Sequence, residues 1–309
     1  MNQNIRGFFD LVAWVLIVAA YYASAWMAPA GACTVADGLR ATLVILVCCV
    51  LLYFLHQHML SGSGIPTALL YAVLAAAPPA ALLYSPFHIA VLLMALCQYC
   101  YLHFNAVNPS QETGFIQWAS FSSASIVLPP LGWLLPLLLL SSLPKAVGKG
   151  RFLATAFLGL VLPLAVWTGI RFCMKDPDPT AFFPEMWAQM ITLHLPHFCL
   201  PVVTVVRIAM TAAITLAAII RILCRMARFR TAEYHACVRL ILMTLGMAVI
   251  AVLFLSDPAT PSGMLLMLPV APLLSRFVQD NPGRKMGRLL LIILALLLVA
   301  ERISLFVNP

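Results

Sequence analysis

The sequence predicts an all-α fold, a polytopic transmembrane helical bundle of about nine long helices plus one short proline-broken helical hairpin over 114–143. Three observations predict it. The 309 residues are 63% hydrophobic and only 9% charged, where a soluble domain carries about 25% charge. The apolar residues form continuous runs of the length a bilayer needs, about 20 residues, and not the short alternating strands of a barrel. The basic residues gather in a few clusters between those runs, as cytoplasmic loops of membrane proteins do. Mean hydropathy is +1.01, in agreement. A soluble enzyme, a disordered tail protein and a disulfide-stapled secreted domain are excluded by this composition. No linker long enough to separate two domains interrupts it, so 1–309 reads as a single integral membrane domain.

The elements follow in order. The first apolar run, about 8–29, is long enough to span and reads as a retained helix rather than a cleaved signal. Helices are expected next over about 41–60, 65–84 and 87–104, joined by short connections such as Ser61-Gly62-Ser63-Gly64. After the polar stretch Asn105 to Thr113 comes the region 114–143, apolar throughout but broken by Pro129-Pro130. Further helices are expected over about 152–171, 198–222, 238–255, 263–277 and 288–306. The nine cysteines mostly lie inside apolar runs, where a thiol packs as a small hydrophobe and no disulfide framework is implied. Cys97-Gln98-Tyr99-Cys100 has a redox spacing but lies within a helix, without the strand–helix setting of a thioredoxin-like site.

Charge decides how 114–143 crosses the membrane. One unbroken helix there would be about 45 Å long, beyond a hydrocarbon core of about 30 Å. Split at the prolines, it becomes two arms of about 20 Å that return the chain to its starting side. With the N-terminus inside, the hairpin places 13 basic residues inside and Arg40, Arg171, Lys175 and Arg302 outside, leaving Arg207 within the membrane. An unbroken helix would invert everything after it and expel most of those basic residues, against the positive-inside rule. The expected topology is therefore N-terminus cytoplasmic and C-terminus periplasmic. It brings Trp26, Trp133, Trp167 and Trp187 to the outer boundary as an aromatic belt. The segment Phe182 to Trp187 is expected to lie along the membrane surface.

Few residues offer chemistry. Asp37 lies in the first outward loop, where a carboxylate can serve as general base or metal ligand; its plain reading is a cap on the helix that follows. Asp176, Asp178 and Glu185 lie in the long outer loop of about 172–197. Such carboxylates suit a divalent cation bridging a diphosphate, and Asp-Pro pairs are equally ordinary turn formers. His194 and His197, with Cys199 nearby, have a ligand-like spacing, but Pro196 interrupts any shared helix face and no complete metal site results. Arg207 has apolar sequence on both sides, and an ionisable residue in that setting is a functional candidate by default. Its guanidinium could hold a lipid phosphate at the outer leaflet, or snorkel to the interface. The cluster from Arg221 to Arg239 suits anionic headgroups on the inner leaflet, and no nucleic-acid role is needed.

Several blocks resemble an uncharacterised family of bacterial polytopic inner-membrane proteins. They are Gly114-Phe115-Ile116-Gln117-Trp118-Ala119-Ser120-Phe121, Leu128-Pro129-Pro130, Arg151-Phe152, Gly159-Leu160-Val161-Leu162-Pro163 and Leu268-Pro269-Val270-Ala271-Pro272-Leu273-Leu274-Ser275. The resemblance implies an inner-membrane location in the cell envelope and no particular catalytic residue. The hairpin also resembles the short paired helices of integral-membrane glycosyltransferases that use polyprenyl-phosphate sugars. That resemblance implies a catalytic acid in the first outward loop, where this chain has the single carboxylate Asp37. It further implies a lipid-linked substrate; in that reading Arg207, singled out by its apolar flanks, would be the phosphate contact. A non-catalytic membrane subunit or scaffold of an envelope-assembly complex is the alternative, and a transporter the third reading. The expected partner is membrane lipid, polyprenyl-phosphate in the first reading; a protein partner belongs to the second.

Overall fold

The computed structural model describes residues 35–60, 64–75, 84–106, 111–142, 149–174, 178–193, 202–225, 231–255 and 262–279, with Ala81 and isolated positions between 292 and 300. The expected first helix, about 8–29, lies outside the described residues, as does most of the last. Among the described residues every regular element is helical. In chain order they are α1 (Val35–Met59), α2 (Ile65–Ala75), α3 (Pro86–Ala106), α4 (Gln111–Val127), a 3-10 segment (Pro129–Leu134), α5 (Leu135–Ser142) and α6 (Lys149–Cys173). They continue with α7 (Phe182–Ile191), α8 (Val202–Arg225), α9 (Thr231–Phe254) and α10 (Ser262–Gln279). Six of these, α1, α3, α6, α8, α9 and α10, are long and apolar enough to cross a membrane. The chain thus reads as a multi-pass membrane protein.

Most helices start earlier or end later than their apolar runs. Hydropathy marks the part of a helix that meets hydrocarbon, whereas backbone hydrogen bonding continues into the polar turns beyond it. The polar starts are favourable in themselves: α1, α4, α7 and α9 carry Asp37, Glu112, Glu185 and Glu233 in their first turns, where a carboxylate meets the positive end of the helix dipole. The opposite correction applies to α2. It was expected to reach residue 84 but is described only to Ala75, three residues ahead of Pro78-Pro79, and Tyr84 is not helical. Adjacent prolines remove two backbone donors and cannot continue a helix.

The proline-broken hairpin is present. After Val127, Leu128 leaves the helical conformation (φ −134°, ψ 85°), and Pro129 and Pro130 supply no N–H to prolong α4. The 3-10 segment then leads into α5. The first arm has 17 residues, about 25 Å at 1.5 Å each. The second has six 3-10 residues and eight α-helical ones, about 24 Å because a 3-10 turn rises faster. The tip reaches the far end of α9, where Trp133 stacks on Phe254 with ring centroids 6.5 Å apart.

The hairpin leaves a signature in the packing of its neighbours. If the chain turns back between them, α4 and α6 must run parallel, and they do. Thr155 shares a shallow groove with Glu112 and Phe115, Gly159 lies against Phe115, Trp118 and Ala119, and Ser122 Oγ donates to the Leu160 carbonyl at 2.7 Å. The contact at Gly159 is close enough to require glycine, since a Cβ there would stand 2.7 Å from Trp118 Cβ and 3.0 Å from the Phe115 carbonyl oxygen. Close helix approach at a small residue is the usual way apolar helices associate in lipid.

The densest packing joins α3 to α4, α4 to α6, α1 to α3, and α10 to α2 and α9. Trp118, Tyr71, Tyr101, Leu52 and Met94 are fully buried there. By contrast α6 turns Phe157, Leu158, Leu162, Val166 and Ile170 outward, and α8 does the same with Val205, Ile208, Leu216, Ile220 and Leu223. Such surfaces are stable in acyl chains, which are as apolar as the side chains themselves.

Candidate functional site

Polar contacts divide the molecule into two ends. At one, the Arg276 guanidinium donates to the Leu60 carbonyl and lies 3.5 Å from Glu233. His56 Nε2 is 3.4 Å from Gln279 Oε1, and Arg221 sits over the Phe277 ring at 5.5 Å. This end gathers the close of α1, α8 and α10 with the start of α9. At the other, Arg40 lies over Tyr84 at 5.9 Å and Arg171 over Phe182 at 5.8 Å. The charge argument grouped Arg221 and Arg276 apart from Arg40 and Arg171, and the packing groups them the same way.

The second end carries the expected outer loop. Its middle forms α7, which lies on the hairpin tip: Trp133 Nε1 donates to the Met190 carbonyl at 2.8 Å. Phe183, Trp187 and Ile191 of α7 remain exposed, an apolar face suited to a membrane boundary. Asp178 precedes this helix and accepts hydrogen bonds from the Thr180 amide (3.1 Å) and hydroxyl (2.8 Å). Those bonds, the hydroxyl first, hold its carboxyl below the usual carboxylate range. The geometry is that of a local turn. Glu185 is exposed in the first turn of α7. Asp176, His194 and His197 lie outside the described residues. Among the described residues no group of three or more His, Cys, Asp or Glu side chains is arranged to hold a metal ion.

Asp37 is not in a loop. It occupies the first turn of α1, its Oδ1 3.4 Å from Arg40 Nη1 one turn on. An exposed pair of this kind contributes about 0–1 kcal/mol. Its helix packs chiefly on α2 and α3, whereas α8, which carries Arg207, packs on α10. Asp37 and Arg207 thus sit on helices with different main partners.

Arg207 has the more unusual setting. It lies five residues after Val202, about 8 Å along the helix, and only 8% of it is exposed. Successive residues of a helix turn by about 100°, so Thr204, Thr211, Ile214, Thr215, Ala218, Arg221, Ile222 and Arg225 share its side. Thr211, Thr215, Ala218 and Ile222 are buried with it. The threonine hydroxyls are held on their own helix, Thr211 on the Arg207 carbonyl (2.9 Å) and Thr215 on that of Thr211 (2.7 Å). The helix thus shows lipid its valines, isoleucines and leucines and turns arginine and threonine toward the protein.

A second buried arginine escaped the sequence reading. Arg239 was grouped with the loop cations, but α9 begins at Thr231 and carries it about 12 Å inside. It is 5% exposed, and its guanidinium covers the Tyr101 ring at 5.3 Å. Tyr101 in turn donates to Ser141 Oγ near the end of the hairpin. The signal that could have found it was Thr231 with Glu233, a helix start seven residues ahead of the apolar run.

Gln98 is also buried to a purpose. Pro272 has no N–H for the Leu268 carbonyl, four residues earlier on α10. Gln98 Nε2, from α3, supplies the missing donor at 3.1 Å. No family model, curated protein or solved structure matches this chain.

Proposed function

We propose that the protein is a bacterial inner-membrane protein that handles a lipid-linked, polyprenyl-phosphate-type substrate at the outer leaflet, with Arg207 as the phosphate contact. The observation that supports it is the burial of Arg207 on a threonine-bearing inward face of a helix whose opposite side is made for lipid. A guanidinium in that position offers two parallel donors to a phosphate, in a medium that strengthens the interaction. In this reading the end bearing Arg221 and Arg276 faces the cytoplasm, and α7 lies on the periplasmic surface beside the hairpin tip. A glycosyl transfer would use Asp37 as its acidic group, with a divalent cation as the cofactor such a diphosphate substrate takes.

The alternative, a non-catalytic subunit or scaffold in envelope assembly, is favoured by a specific observation. Asp37 and Asp178 each engage a neighbour within three residues, Arg40 and Thr180, as structural carboxylates do. A transporter is the third reading.

Binding separates the first reading from the others. The wild type, reconstituted in nanodiscs with polyprenyl phosphate and released for native mass spectrometry, is expected to retain the lipid. Arg207→Ala is expected to lose it by at least tenfold and Arg207→Lys by less, since lysine keeps the charge but not the fork. Equal retention by wild type and Arg207→Ala would sink the assignment.

A further inference from the structure

Among the described residues the ion pairs leave Arg239 uncompensated. Among the described residues no carboxylate lies within ion-pair distance of it; Glu233, the acidic residue of its own helix, is engaged by Arg276. Its Nη1 is buried without a hydrogen-bond partner. A charged group buried in this way is costly unless something neutralises it. The surroundings are furnished for an anion. Tyr101 lies over the guanidinium and takes one of its hydrogen bonds, which leaves Nη1 as the buried donor still without a partner. The Tyr101 hydroxyl bonds to Ser141, and the neighbouring Ser142 is fully buried with its Oγ also lacking a partner.

We propose that Arg239, with Tyr101 and the Ser141-Ser142 end of the hairpin, forms a binding site for a phosphate-type anion. This site is separate from Arg207 and does not rest on the reading given above. It lies toward the end of the molecule where α3 and α5 finish and α9 begins. The residual 5% exposure of Arg239 and the position of Ser141 one residue from the end of α5 keep it within reach of that surface. The shared chemistry is a phosphate oxygen pair, met either by a lipid headgroup or by a free phosphate.

The full chain, purified in neutral detergent without phosphate, tests this by its thermal unfolding midpoint. Inorganic phosphate is expected to raise the midpoint saturably in the wild type and not in Arg239→Gln. Arg239→Lys is expected to need at least tenfold more phosphate. Without phosphate, Arg239→Gln should be no less stable than the wild type, because it removes a charge that has no ionic partner. A midpoint insensitive to inorganic phosphate but raised in phosphatidylglycerol nanodiscs over phosphatidylcholine ones, again through Arg239, assigns the site to a lipid headgroup. The proposal is overturned if neither phosphate nor phosphatidylglycerol stabilises the wild type, or if both act equally on Arg239→Gln. Should that variant fail to fold, the comparison of wild type with Arg239→Lys decides in the same way.

Discussion

Helices α8 and α9 are alike in length and composition and opposite in how the fold uses them. Each has 24 residues, their mean hydropathies are 2.0 and 2.4, and each buries one arginine. Yet α8 is the less buried of the two and α9 the more. The first rests on α10 and shows lipid a full apolar side. The second is held along its length: Glu233 by Arg276, Arg239 by Tyr101, Phe254 by Trp133. In α8 the alternation of polar and apolar residues already states which way Arg207 must point. In α9 nothing about the neighbours of Arg239 does so, since Ala236, Cys237, Leu240 and Met243 are buried with it and would suit lipid equally well. An apolar helix in a membrane takes its orientation from its partners when its own faces are alike.

The contrast is best broken at the start of α9. Glu233→Gln leaves Arg276 without its carboxylate in a pair of which both side chains are only 12% exposed. Breaking such a pair from one side is expected to cost about 3 kcal/mol, read as the loss of stability in reversible unfolding from detergent micelles. A change below about 1 kcal/mol would mean that α9 is held by its apolar contacts alone.

Matched truncations on the two helices come next. Met243 of α9 is fully buried, whereas Leu216 of α8 is 59% exposed. Met243→Ala is expected to cost about 2 kcal/mol through the cavity it opens. Leu216→Ala, which only exchanges one lipid contact for another, should stay within about 0.5 kcal/mol. Similar costs at the two positions would show that α8 is covered by protein in the assembled state.

A loss smaller than that of Met243→Ala is expected in α10, the wall that both helices share. Gln98→Leu removes the donor on the Leu268 carbonyl and should cost about 1 kcal/mol. In a Pro272→Ala background the backbone N–H returns and that cost should vanish. A double-mutant cycle measures the coupling; full additivity would mean that Gln98 does not compensate for the proline.

The hairpin was legible because two unrelated signals agreed, Pro129-Pro130 in the middle of the run and the basic clusters after it. The structure supplied a third, the parallel packing of α4 and α6 at Gly159. The short helix α7 was signalled by its aromatics, although its docking on Trp133 was not. Of the candidate residues, Arg207 was found from its apolar flanks. Asp37 was misplaced into a loop because polar residues at a helix start look like loop residues to a hydropathy argument. Arg239 was missed for the same reason, as its helix begins well before its apolar stretch.

The sequence by itself determined that this is a multi-pass helical membrane protein, where its six long apolar helices lie, and where the chain doubles back. These depend on local quantities, namely apolar run length, proline geometry and the side on which basic residues collect. Only the tertiary structure decided which buried polar groups meet: Arg276 with Glu233 and Leu60, Arg239 with Tyr101, and Gln98 with the carbonyl that Pro272 leaves open. Those pairings join residues far apart in the chain, on helices whose apolar faces offer many equivalent ways to pack. In lipid, where apolar burial no longer discriminates among them, the close approaches and the scarce polar contacts select one.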